Sequence, residues 1–123
     1  MPEINLDNIS IKDVEKISIS KEINGRRYFA FNVLNKDTLV LFQIISSGEF
    51  LINGFNNKNV RSKYFSENSE IEKNINKTTR LLAKLKAHGI IKKVARKNKY
   101  YLTNEGRKII SNLLVYTKRE ILN

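Results

Sequence analysis

The run Ser69-Glu70-Ile71-Glu72-Lys73-Asn74-Ile75-Asn76-Lys77-Thr78-Thr79-Arg80-Leu81-Leu82-Ala83-Lys84-Leu85-Lys86-Ala87-His88-Gly89 carries a start signal, a period and a stop signal for one long helix. Ser69 to Glu72 has the S-x-x-E form of a capping box, in which the Ser69 hydroxyl accepts from the backbone N–H three residues on and Glu72 reaches back to the cap N–H. Ile71, Ile75, Thr78, Leu82 and Leu85 recur at helical spacing. Gly89 supplies the left-handed residue past the end, and Ile90 can fold back on the last turn. The spacing predicts a helix over 70–88. With the apolar line taken as inward, Lys73, Asn76, Lys77, Arg80 and Lys84 fall on the opposite face within an arc of roughly 100°. Arg and Lys suit guanine edges and phosphate oxygens, and Asn can bond adenine. A face shaped only for solubility would alternate signs at i,i+4, yet this one has no acid after Glu72.

Downstream, Ile90 to Val94 and Lys99 to Thr103 read as two short strands joined across Ala95-Arg96-Lys97-Asn98, a hairpin over 90–103 with a basic tip. Lys93, Arg96, Lys97, Asn98 and Lys99 there are candidate phosphate contacts, against the plainer reading of a soluble turn. Thr103 or Asn104 caps a last helix over 104–122, with Ile109 and Leu113 facing the core. A second stripe on that helix, Ile110, Leu114, Thr117 and Ile121, has the spacing of a two-helix seam between copies, or of a stripe buried within one chain.

Upstream, Asn35 or Asp37 caps a helix over Thr38 to Ser47, with Leu41, Ile44 and Ile45 inward and Gly48 as its stop. Phe50-Leu51-Ile52 reads as a short strand and Asn53-Gly54 as a turn, after which Asn56 or Asn57 caps a short helix carrying Val60, Tyr64 and Phe65. Ile17 and Ile19, then Phe29, Phe31 and Val33, alternate on either side of Asn24-Gly25, a strong hairpin signal, so residues 17–33 read as two antiparallel strands. Residues 1–16 show no clear period. The division is an arm and β-hairpin over 1–34 and a second unit over 35–123, in a mainly α fold with small β (α+β).

Charge follows this division. Residues 1–57 hold six basic and seven acidic side chains, whereas residues 58–123 hold 17 basic and five acidic, within a total formal net charge of +11. Such a one-sided field attracts polyanions and repels itself, which makes nucleic acid the first partner to consider. With no Cys, 41% hydrophobic residues and 28% charged, the 123-residue chain reads as a folded protein without disulfides or thiolate metal sites. The longest apolar run, Leu39 to Phe42, is far short of a membrane span, and Met1 to Asn5 has neither a basic nor an apolar leader region. The expectation is a cytoplasmic, nucleoid-associated protein with no membrane partner.

No catalytic pattern stands out. His88 is the sole histidine, in a helix last turn where a cation and a hydrogen bond to a carbonyl are the ordinary expectation. Ser46-Ser47-Gly48 reads as a helix end rather than a nucleophile, and clustered metal ligands are missing. The expectation is a non-enzyme with no cofactor and no metal.

Leu81-Leu82-Ala83-Lys84-Leu85-Lys86-Ala87-His88-Gly89-Ile90-Ile91-Lys92-Lys93, followed by Tyr101-Leu102-Thr103-Asn104-Glu105-Gly106, resembles a winged helix-turn-helix domain, most like the MarR and PadR regulators. The resemblance covers residues 37–122 in element order and is specific over 81–106. It implies a recognition helix at 70–88 and a wing at 94–99; the N-terminal hairpin departs from the family, standing where such regulators often carry a dimerisation helix. The leading expectation is a sequence-reading protein of double-stranded DNA, a transcriptional or mobile-element regulator able to act as a homodimer. The alternatives are an adaptor whose basic face docks an acidic protein, or whose hairpin joins a partner's sheet, and an RNA binder using Tyr100 and Tyr101 to stack bases.

Overall fold

The computed structural model describes residues 17–32, 35–65 and 70–122, with side chains of the last helix described as far as Val115. Within them, Asn24 and Gly25 both take positive φ, 52° and 80°. That is the two-residue turn whose twist suits a hairpin, and it joins β1 (Lys21–Ile23) to β2 (Arg26–Tyr28). The register pairs Lys21 with Tyr28, Glu22 with Arg27 and Ile23 with Arg26. The strands are shorter than the alternation over 17–33 predicts. Phe29 is 70% exposed and Ile19 60%, while Ile17 and Phe31 are buried outside the strands. No neighbouring layer covers the ribbon, so apolar residues are buried only at its root, where the Phe31 N–H donates to the Ile17 carbonyl at 2.8 Å.

α1 (Lys36–Ile45) is capped by Asn35, whose side chain accepts from the Asp37 N–H at 2.7 Å. It buries Leu41, Phe42 and Ile45. Gly48 does not stop a helix but opens one: α2 (Gly48–Asn53) buries Phe50 and leaves Ile52 79% exposed. The predicted strand over Phe50-Leu51-Ile52 is therefore a helix. A short apolar run carries no decisive period, and the β-edge it would have joined is taken by Phe55. α3 (Asn57–Tyr64) starts with a reciprocal capping box between Asn56 and Asn59.

α4 (Ile71–Ala87) is the predicted long helix. Its start differs: Glu70, left-handed at φ 57°, is the N-cap and makes no side-chain cap bond, while Ser69 of the expected capping box lies outside the described residues. Its end is a full Schellman motif, with Gly89 N–H donating to Lys86 and Ile90 N–H to Leu85. Thr78, Leu82 and Leu85 are buried, but Ile71 is 66% exposed. Ile71 keeps the angular position of the stripe, so nothing covers the first turn.

β3 (Ile91–Val94) and β4 (Lys99–Leu102) pair antiparallel across a 3-10 turn, Ala95–Lys97, closed by left-handed Asn98. Phe55 adds a third partner: its N–H donates to the Tyr100 carbonyl at 3.0 Å, and its carbonyl accepts from the Tyr100 N–H at 2.7 Å. α5 (Asn104–Leu122) is capped by Thr103, whose hydroxyl accepts from the Gly106 N–H at 2.8 Å and donates to the Gly89 carbonyl at 2.7 Å. A Cβ on Gly106 would collide with the Ile90 carbonyl. Thr103 and Gly106 thus fasten α5 to the exit of α4.

Among the described residues, five helices and two small hairpins, about 61% helix and 16% strand, make this a mixed α+β fold dominated by helix. One cluster of buried residues takes Phe42 from α1, Leu85 from α4, Ile109 and Leu113 from α5, and Ile17 and Phe31 from the root of the first hairpin. Ile110 belongs to it as well at 1% exposure, and Leu114 packs partly against it. The seam reading is corrected at Ile110: the chain itself covers that position. The side chains of Thr117 and Ile121 lie outside the described residues.

Candidate nucleic-acid interface

The outer face of α4 carries the amphipathic split expected of it. Lys73, Asn76, Lys77 and Arg80 are exposed. Lys73 is not without an acid, since its Nζ lies 3.9 Å from the Glu70 carboxylate; both groups are well solvated, so the pair contributes little. Lys84 departs from the row. It is half-buried, its Nζ sits 4.2 Å from the centroid of the Phe31 ring, and burial lowers its ammonium pKa below the ordinary value. The neighbour that draws it in is the root of the first hairpin.

On the second hairpin Arg96, Lys97 and Asn98 are exposed at the tip, and Lys93 projects from β3 with its Nζ 5.7 Å above Tyr100. Lys99 instead donates to the Asn53 carbonyl at 3.1 Å. Nor are the paired tyrosines free aromatic platforms. Tyr100 stacks on Phe55, with ring centroids 6.2 Å apart, and the Tyr101 ring lies against Gly54, where any Cβ would strike it.

The fold joins Lys93 and Asn98 to residues the sequence reading passed over. A groove of about 470 Å³ runs between α3, α4 and the β3–β4 hairpin, lined by Asn56, Asn57, Lys58, Arg61, Thr79, Lys93 and Asn98 among others. Asn57 secures it, donating from Nδ2 to the Ile75 carbonyl and the Thr79 hydroxyl at 3.2 and 3.1 Å. Its Oδ1 accepts from Arg61 Nη1 at 2.6 Å, which fixes the guanidinium. The missed signal was the charge of α3 itself, which holds Lys58, Arg61 and Lys63 and no acid. Lys58 stands in the first turn, where the helix dipole is also positive, and Arg61 and Lys63 follow in the last turn. On the opposite flank of α4, a second groove of about 520 Å³ is lined by Asp37, Val40, Tyr64, Lys77, Arg80 and Lys84 among others. Burial first, and then the nearby Asp37 charge, push the Tyr64 hydroxyl pKa up.

His88 is not the expected cation. It is 8% exposed, with Nε2 2.8 Å from the Phe29 carbonyl and Nδ1 buried without a hydrogen-bond partner. Burial is the largest cause lowering its pKa; the Phe29 hydrogen bond opposes this, and Lys21 and Lys84 add to it. A neutral ring donating from Nε2 satisfies that geometry. Its work is to tie the end of α4 to the first hairpin. Ser46 and Ser47 form the junction between α1 and α2, and the Ser46 hydroxyl donates to the Phe42 carbonyl at 2.8 Å.

Among the described residues no group of three His, Cys, Asp or Glu side chains could hold a metal ion, and no helix is long and apolar enough to cross a membrane. Comparison with known proteins finds no matching family, no matching curated protein and no matching solved structure. The reading of the site therefore rests on its residues.

Proposed function

We propose that this chain is a winged helix-turn-helix protein that reads double-stranded DNA as a transcriptional or mobile-element regulator at the nucleoid. One observation carries the reading: α4 buries Thr78, Leu82 and Leu85 on one side and exposes Lys73, Asn76, Lys77 and Arg80 on the other, beside a hairpin tipped by Arg96 and Lys97. The element order supports it, with Phe55 pairing onto β4 between the helices that precede α4. In this reading α4 enters the major groove. Asn76 and Arg80 face base edges, Lys73 and Lys77 face phosphates, and the wing tip takes the flanking backbone. The groove of Lys58, Arg61 and Lys93 receives one further phosphate.

Selection from a randomised duplex library at two salt concentrations tests this. If about six to eight phosphates are neutralised, log K against log salt falls with a slope of roughly −5 to −7. Enrichment of a palindromic site identifies a dimeric reader and gives its half-site spacing. Retention without enrichment removes sequence reading, and no retention removes DNA altogether. Arg80→Ala should cost about 1–3 kcal/mol on the selected site and relax its specificity; equal losses on selected and random DNA would refute the role given to Arg80.

A further inference from the structure

The first hairpin has no part in that scheme, yet nearly all of its strand residues are exposed. Its strands, Lys21–Ile23 and Arg26–Tyr28, carry three cations against Glu22 alone and leave five of six residues exposed. A two-stranded ribbon is marginal by itself in water. Here the root is locked: Ile17 and Phe31 are in the core, the Phe31 N–H holds the Ile17 carbonyl, and His88 holds the Phe29 carbonyl. The ribbon is stiff at its base and free at its tip.

Its position is set by the same contacts. The root lies at the C-terminal end of α4, with the Lys84 ammonium over Phe31 and Lys21 close enough to weigh on His88. The basic surface therefore continues from Lys84 to Lys21 and to Arg26, which share one face of the ribbon, while Arg27 points to the other face beside its register partner Glu22. Glu22, across from Arg27 in the register, is the one acid of the two strands. Among the described residues no carboxylate lies within 4.0 Å of either, and each guanidinium carbon lies over a ring: Arg26 5.4 Å from Tyr28 and Arg27 5.8 Å from Phe29. Arg27 Nη2 also donates to the Ser20 hydroxyl at 3.4 Å, and the remaining N–H groups of a guanidinium held over a ring suit the geometry of phosphate. Like charges massed on one ribbon are costly without an anion.

We propose that the β1–β2 hairpin is a second DNA-contacting element, a basic ribbon that grips duplex phosphates beyond the end of α4. The inference rests on the DNA reading above and extends its footprint. Continuity with the α4 ridge selects a duplex over an acidic protein.

The test compares wild type with Arg26→Ala/Arg27→Ala on random-sequence duplexes of about one, two and three helical turns, roughly 10, 21 and 31 base pairs. Both side chains are exposed, so the melting curve should be unchanged. On the longer duplexes the salt slope should become shallower by about one to two and binding near ~0.2 M salt weaker by roughly tenfold. The shortest duplex should not distinguish the proteins, and Arg26→Lys/Arg27→Lys should keep the wild-type slope. If the alanine variant matches wild type on every duplex, or loses equally on all three, the ribbon proposal is overturned and the α4 reading stands. If wild type itself shows no salt-dependent binding, both are overturned.

Discussion

The two hairpins are both short and basic, and they are opposite in how they are held. β3–β4 is built into the body: Ile91 is buried, Tyr100 and Tyr101 are half-buried, and Phe55 pairs along its outer strand. Among the described residues β1–β2 has no third strand and no layer over either face, and it is attached through Ile17, Phe31 and the His88 bond. One hairpin is stabilised along its length by tertiary packing. The other relies on its turn and on two anchored ends, and local chemistry at those points should control it.

The largest effect is expected where the embedded hairpin meets α5. In Gly106→Ala the new methyl meets the Ile90 backbone carbonyl, which has nowhere to move. A loss of about 3 kcal/mol or more is expected in denaturant melts. A loss below about 1 kcal/mol would mean that this junction is looser than the Thr103 hydrogen bonds imply.

Next comes the root of the free hairpin. His88→Ala leaves the Phe29 carbonyl without its donor, a cost of about 1–3 kcal/mol. It should appear as lost hydrogen-exchange protection at the Phe31 N–H while the amides of β3–β4 stay protected. Equal loss in both hairpins would erase the contrast between them. The same anchor is pH-sensitive. The folded-state pKa of His88 lies below its ordinary value of 6.5, so the unfolded chain binds the proton more readily. The contribution of His88 is present above pH 6.5 and lost as pH falls from there toward the folded pKa. His88→Gln, whose amide can still donate to Phe29, should flatten that dependence.

A smaller effect belongs to the turn. Gly25 sits at φ 80° with nothing near its missing Cβ, so Gly25→Ala should cost only the left-handed strain, about 1–2 kcal/mol, confined to β1–β2. The smallest is Lys97→Ala at the embedded tip. Stability should stay within about 0.5 kcal/mol, while DNA binding weakens alike on all sequences and the salt slope falls by about one. A sequence-selective loss would move Lys97 from phosphate to base contact.

The legible parts of the fold were those fixed by a few adjacent residues. Asn24-Gly25 marked its turn, Gly89 with Ile90 the end of α4, and Thr103 the start of α5, because each pairs a backbone geometry with the one or two residue types that favour it. The amphipathic split of α4 was equally legible beyond its first turn. Phe50-Leu51-Ile52 was not, since three apolar residues fit a strand or a helix until Phe55 occupies the β4 edge. Ile71 was misjudged, and at Ile110 the pattern could not choose between a seam and burial within the chain, for a shared reason. A helical period gives the direction of a side chain but not what lies in that direction: Ile71 points along the core stripe with nothing over it, and Ile110 points away from the assumed core and is covered all the same.

The candidate site divides along the same line. Sequence alone determined that positive charge gathers on one face of one helix and on the tip of one hairpin, because charge and periodicity are local properties. Tertiary structure alone decided that Lys84 is drawn over Phe31, that Lys99 is tied to Asn53, and that Lys58 and Arg61 line one groove with Lys93. It also decided that His88 is a neutral anchor rather than a helix-end cation, since the ring is enclosed by a segment 59 residues away in the chain. Whether a charged side chain is solvated, packed or gathered with others depends on neighbours distant in sequence, and only the folded chain places them.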